Sequence, residues 1–197
     1  MKTICVTGST SNVGKTYLIE RILERFGPGW GVCKVTICHE KGTHTCPRGR
    51  EEHCGVCSSL SPEDDYLLLE DPAVIGEEGK DTHRYLDAGA ARVIWIKTRG
   101  EYLARAVSEA AGRFSDLRGV IFEGNHALSV LEPDLGVMVL GDPVRYKPSA
   151  RAVLDKVDLK GTSGDRELLD GIEEAVGDAT ERGGTSLPGP APPGAAS

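Results

Sequence analysis

Two things this chain of 197 residues lacks narrow its function before any motif is considered: a surplus of positive charge and a long apolar run. It carries 23 Lys and Arg against 30 Asp and Glu, a net charge of −7, so no basic face is expected to neutralise a nucleic-acid backbone. No apolar stretch approaches the roughly 20 residues of a membrane-spanning helix, so no membrane partner is expected. The first strand pattern begins almost at residue 1, which leaves no place for the charged and apolar regions of a secretory signal, and a cytoplasmic location is the expectation. Repeats of solenoid length are also missing. Six cysteines in a reducing compartment are then not a disulfide framework; where they cluster, they are metal ligands or redox groups.

What is there begins with Gly8-Ser9-Thr10-Ser11-Asn12-Val13-Gly14-Lys15-Thr16, after the apolar run Ile4-Cys5-Val6 and before a helical pattern. A strand, a Gly-rich turn and a helix N-terminus together aim backbone N–H groups at an anion, so the segment reads as a phosphate-binding loop. Lys15 then reaches the β- and γ-phosphates of a nucleoside triphosphate, and the Thr16 hydroxyl ligates Mg²⁺. Five residues separate Gly8 from Gly14 where the standard loop has four, and Ser9 stands where that loop has Gly.

Helical spacing follows. Ile19, Ile22, Leu23 and Phe26 share one face of a helix over 15–26, and Gly27-Pro28-Gly29 stops it. Gly31 to Ile37 is a second buried strand containing Lys34, which reaches a phosphate or substrate anion at the sheet's ligand edge or snorkels from an edge strand.

From Cys38 the pattern breaks. Cys38, Cys46, Cys54 and Cys57, with His39, His44 and His53 among them, crowd into an insert over about 38–60. Cys54-Gly55-Val56-Cys57 has the spacing that lets two thiolates share one tetrahedral ion, with Cys46 and either Cys38 or a histidine completing the set. Zn²⁺ is the natural metal, an Fe–S cluster is the other thiolate-held group, and a loop of free thiols is the plain alternative. Cys5 and Cys33 lie in strand patterns and read as core residues.

Tyr66–Leu69 reads as a short strand, although Ser61-Pro62-Glu63 has the form of a helix start, and Asp71 reads as a turn aspartate before Pro72. Gly79 to Ala90 predicts a helix capped by Asp81 or Thr82, with Lys80 and Arg84 as anion contacts or solvated charges. A strand over Arg92–Lys97, a helix over Glu101–Phe114 and a strand over Gly119–Glu123 come next. Glu123 would stand at a strand's C-terminal end beside the loop, where a carboxylate holds magnesium or its waters. Gly136–Asp142 gives another strand and turn. Leu154-Asp155-Lys156-Val157-Asp158-Leu159 is similar to a guanine-reading NKxD motif in which Asp158 meets the base, or is an ordinary segment with solvated charges. A final helical face carries Leu168, Leu169, Ile172 and Val176. Residues 1–180 thus form one domain, and the Pro- and Gly-rich tail at 181–197 cannot bury enough apolar area to order itself.

Alternating strands and helices predict an α/β fold in three layers, a mostly parallel sheet with helices on both faces. The loop resembles that of dethiobiotin synthetase. The Asp81–Ala90 helix, with Arg84 and its Ala88-Gly89-Ala90 end, resembles the molybdopterin-guanine dinucleotide biosynthesis protein B family of P-loop GTP-binding proteins. Glu123-Gly124-Asn125 resembles a segment shared by both and by the nickel-insertion GTPases. The likeness to protein B implies a Mg-dependent, GTP-binding accessory factor for molybdenum cofactor maturation, hydrolysing nucleotide slowly beside the nucleotidyltransferase that completes the cofactor; no water-activating residue is visible. A metal-delivery GTPase serving a metalloenzyme through the Cys/His insert and an ATP-dependent ligase are the rival readings, and a homodimer is left open.

Overall fold

The structure, a computed structural model, describes residues 1–38, 60–61 and 63–177. Cys46, Cys54, Cys57, the histidines of the insert and the 181–197 tail lie outside the described residues. The chain runs β1 (Lys2–Gly8), α1 (Lys15–Phe26), β2 (Trp30–Ile37), β3 (Tyr66–Leu69), α2 (Pro72–Ile75), α3 (Asp81–Asp87), β4 (Arg92–Thr98), α4 (Leu103–Gly112), β5 (Gly119–Glu123), α5 (Asn125–Val130), β6 (Leu135–Val139), α6 (Pro148–Arg151), β7 (Leu159–Gly161) and α7 (Arg166–Gly177).

One sheet of seven strands has the order β3-β4-β2-β5-β1-β6-β7. Every neighbouring pair is parallel except β3 with β4, an antiparallel edge on an otherwise parallel sheet. The architecture is the expected α/β one with helices on both faces. Side chains alternate across a strand, so Ile4 and Val6 face the layer of α1, α3 and α7, while Cys5 faces that of α4, α5 and α6. Leu18, Ile19 and Ile22 of α1, Tyr85 of α3 and Ile172 of α7 fill the first core. Leu103 and Ala106 of α4, Leu128 of α5 and Ala150 of α6 fill the second. Each fully buried Ile or Leu contributes about 1.5–3 kcal/mol, so two such layers hold in place the sheet whose C-terminal edge carries the loop.

Several boundaries differ from the sequence expectations. The strand and turn expected over Gly136–Asp142 divide at Val139, where β6 ends; Leu140 N–H then donates to Gly161 O (2.8 Å) and the chain turns toward Pro143. The helix expected from Glu101 opens with a 3₁₀ turn over Gly100–Tyr102. Asp71 caps α2, its carboxylate accepting from Ala73 N–H at 2.9 Å, as a turn aspartate does. Asp81 is the first residue of α3 and not its cap, which frees its carboxylate for other partners. No helix among the described residues is long and apolar enough to cross a membrane.

Candidate functional site

The loop between β1 and α1 is held from both sides. Gly8 N–H donates to Asn125 Oδ1 (2.9 Å) and Asn125 Nδ2 donates back to Gly8 O (3.0 Å), a two-point clamp from the start of α5. Ser9 is fully buried: its N–H donates to Val139 O (2.9 Å), its Oγ accepts from Gly141 N–H (3.0 Å) and its carbonyl accepts from Lys147 N–H (2.8 Å). A serine where the standard loop has glycine thus ties the loop to β6 and the segment after it. A Cβ on Gly8 would lie 2.9 Å from Val13 Cγ2 and 3.1 Å from Thr10 O, because the loop folds back over the strand end. At Gly14, with φ of +88°, a Cβ would lie 2.3 Å from Ser163 Oγ. Asn12 is also left-handed, at φ 59°.

Such a turn delivers the chain into α1 with its first amides facing outward. Leu18 N–H returns to Gly14 O (3.0 Å), while the amides of Gly14, Lys15 and Thr16 donate to no acceptor among the described residues. These are the positive end of the helix dipole and an ordinary anion-binding arrangement.

Beside them lies a connected set of side chains. Lys15 Nζ is 3.5 Å from Glu123 Oε1, with the carboxylate delivered by the end of β5. Glu123 pairs in register with Val6 on one side and Lys34 on the other, so Lys34 and Glu123 stand abreast. Lys34 forms an ion pair with Asp81 Oδ2, and Asp81 Oδ1 accepts from Thr16 Oγ1 at 3.1 Å. Burial works to raise the Asp81 pKa, but the Lys34 charge, the hydrogen bonds from Lys34 and Thr16 and the Lys15 charge together hold it below its ordinary value. Tyr85 OH donates to Glu123 Oε2 (2.9 Å); burial, then the Glu123 and Asp81 charges, push the phenol well above its ordinary range, so it remains a donor.

Other candidates fall elsewhere. Arg84 makes a bidentate bridge to Glu20 with both contacts at 2.6 Å, clamping α3 to α1, and Lys80 pairs with Glu77 at 3.4 Å. Neither faces the loop network as an anion contact; of the anion group, Lys34 alone brings a cation to it. Asp158 lies three residues before Gly161, the residue level with Val139 and hence with Gly8, and its carboxylate accepts from Gly136 N–H at 2.7 Å. A carboxylate so placed ties β7 to β6 and does not meet a base at the loop's edge. Thr10, Ser11 and Val13 complete the loop, and Thr10 Oγ1 makes only a long contact to Ser11 O (3.4 Å). Cys38 is buried just past β2, its N–H donating to Thr98 O (2.8 Å); the rest of the cysteine cluster lies outside the described residues. Burial pushes the thiols of Cys5 and Cys33 upward, which leaves them neutral core groups.

No family model, curated protein or solved structure matches the chain. The chemistry of the site therefore rests on its own geometry. Thr16, Asp81 and Glu123 offer one hydroxyl and two carboxylates, hard oxygen donors of the type that suits Mg²⁺ and not a soft metal. Among the described residues no group of three or more His, Cys, Asp and Glu side chains is placed to hold a metal, so any resident ion here would also need phosphate or water oxygens. Asn125, Tyr85 and Ser163 belong to the site although their residue types gave no sign of it; Asn125 carried the one available hint, its place directly after Glu123-Gly124.

Proposed function

We propose that the chain is a magnesium-dependent nucleoside triphosphate-binding protein with slow phosphohydrolase activity. The observation that carries this reading is the contiguous network at the end of β1, where outward amides at 14–16, Lys15 and Thr16 meet two acidic side chains and a second lysine. The polyphosphate would lie on the amides of α1's first turn. Lys15, exchanging Glu123 for a phosphoryl oxygen, would stabilise charge developing on the γ-phosphoryl group. Thr16, Glu123 and Asp81 would hold Mg²⁺, which would neutralise charge on the polyphosphate. Both carboxylates face lysines and neither is placed as a base on a water; slow turnover follows.

The nucleoside would extend away from Glu123, toward the segments after β6 and β7 that press on Ser9 and Gly14. GTP and a role as accessory factor in molybdenum cofactor maturation, beside a nucleotidyltransferase, are what the resemblance to protein B supports; with Asp158 engaged by β6, base choice rests on other residues and ATP is the alternative. A second reading, a ligase that phosphorylates a bound carboxylate, is favoured by Lys34, a further cation at the same mouth. A cargo role for the Cys/His insert draws its support from Cys38, which leaves the sheet at this edge.

Calorimetry with GTP and ATP, with and without Mg²⁺, tests the reading. Lys15→Ala is expected to weaken nucleotide binding by more than about 100-fold while the chain stays folded by circular dichroism. Unchanged affinity in that variant would sink the proposal. ATP preference with turnover only after a small carboxylate is added would move the assignment to the ligase, and bound metal lost on replacing Cys54 and Cys57 would support the cargo role.

A further inference from the structure

We propose that Tyr85 is a positioning residue for magnesium at this site, holding one oxygen of Glu123 so that the other is presented to the phosphate loop. This rests on the nucleotide reading above. Glu123 ends a strand paired on both sides, so its backbone is fixed and only its side-chain torsions remain to be set. Tyr85, fully buried, donates to Oε2 at 2.9 Å, while Oε1 lies 3.5 Å from Lys15 Nζ. One oxygen is thereby committed to a neutral donor and the other is turned toward the cation and the loop. A carboxylate held in this way offers a single oxygen, in one direction, to an octahedral ion with strict geometric demands.

The placement of Tyr85 on α3 adds to the argument. It lies one helical turn after Asp81, on the same face, so a single short helix brings both the second carboxylate and the phenol to the loop. The Arg84–Glu20 bridge fixes that helix against α1. Were a phosphate to draw Lys15 away from Oε1, the phenol would keep the carboxylate aimed at the loop, where a bound metal would restore the lost positive charge. Asp81 is held by Lys34 and Thr16, whereas Glu123 Oε2 is held by a neutral donor, and the asymmetry gives Tyr85 a role distinct from packing.

The test is nucleotide affinity by calorimetry in Mg²⁺ and in EDTA for the parent, Tyr85→Phe, Glu123→Gln and the double variant, using whichever of GTP and ATP the parent binds. Tyr85→Phe conserves the ring and is expected to leave affinity in EDTA unchanged while cutting the Mg²⁺-dependent gain by about ten-fold, the usual cost of losing a ligand's orienting partner. Glu123→Gln is expected to lose that gain outright, and adding Tyr85→Phe to it to change nothing further. A full Mg²⁺ gain in Tyr85→Phe, an equal loss in EDTA, or a full gain in Glu123→Gln overturns the proposal. Should the parent bind neither nucleotide in either buffer, it is the nucleotide reading that fails and this inference goes with it.

Discussion

The two edges of the sheet carry similar charges arranged to different ends. At the N-terminal edge, Arg25 pairs with Glu173 and Asp170, Lys2 with Asp134 at 3.2 Å, and Arg118 donates to the carbonyls of Phe26 and Pro28. A groove of about 590 Å³ lies among them, lined by Arg25, Trp30, Arg118 and Asp134. Its ion pairs are open to water: Arg25 and Glu173 are 43% and 42% exposed, against 16% and 8% for Lys15 and Glu123 at the other edge. Where water screens both partners, pairing is worth little and nothing is gained by exchanging one of them. Where they are desolvated, each partner needs a counter-charge, and a phosphate or a divalent ion can take over that role. A concavity rich in charge is therefore not by itself a site; outward amides and a loop clamped by Asn125 and Ser9 make the difference.

Gly14→Ala should produce the largest separation between the two edges. It forces a side chain into left-handed backbone and against Ser163, and is expected to cost about 1–3 kcal/mol of stability and nucleotide affinity on the order of 100-fold. Denaturant titration and calorimetry would check both, and retention of nucleotide binding would mean that the loop's shape is not what holds the ligand.

A smaller effect is expected from Asp81. Its folded pKa lies below the ordinary aspartate value, so its contribution to stability is fully present above that value and is lost as pH falls through the folded pKa. In nucleotide-free protein, Asp81→Asn should flatten the part of the stability curve below about pH 4, measured by melting temperature. An acid limb unaltered by the substitution would remove Asp81 from the loop network. The smallest effect belongs to the other edge: Arg25→Gln should leave melting indistinguishable from the parent at high salt.

How much of this was legible depended on whether the signal was local. Ile4-Cys5-Val6, the Val93–Ile96 run and Val120–Phe122 announced buried parallel strands through composition alone, and the loop announced itself through the order of glycines, Lys15 and Thr16. Glu123 was legible because three apolar residues, Val120 to Phe122, deliver it to a strand end. The clamp on Gly8 comes from Asn125, 117 residues away, and the Tyr85–Glu123 bond spans 38; neither leaves a periodic trace. Lys80 and Arg84 looked available because their partners, Glu77 and Glu20, could not be assigned without coordinates. Asp158 matched a spacing pattern, but it stands just before β7, where hydrogen bonds fasten it to Gly136, and that contact left no trace in the sequence.

The join between β2 and β3 has a further bearing on how this chain can be rebuilt. Cys38 is fastened to Thr98 O, and Arg99 is fastened to the carbonyls of Asp65 and Ser61, so the stretch from 39 to 60 departs from one flank of β4 and returns on the other. Two strand spacings, about 10 Å, separate those flanks, a gap that a handful of extended residues can bridge. A short linker joining those two points is therefore expected to leave the sheet's register untouched, and a foreign module spliced there would be anchored at the C-terminal edge of the sheet, on the β3-β4-β2 side of the loop.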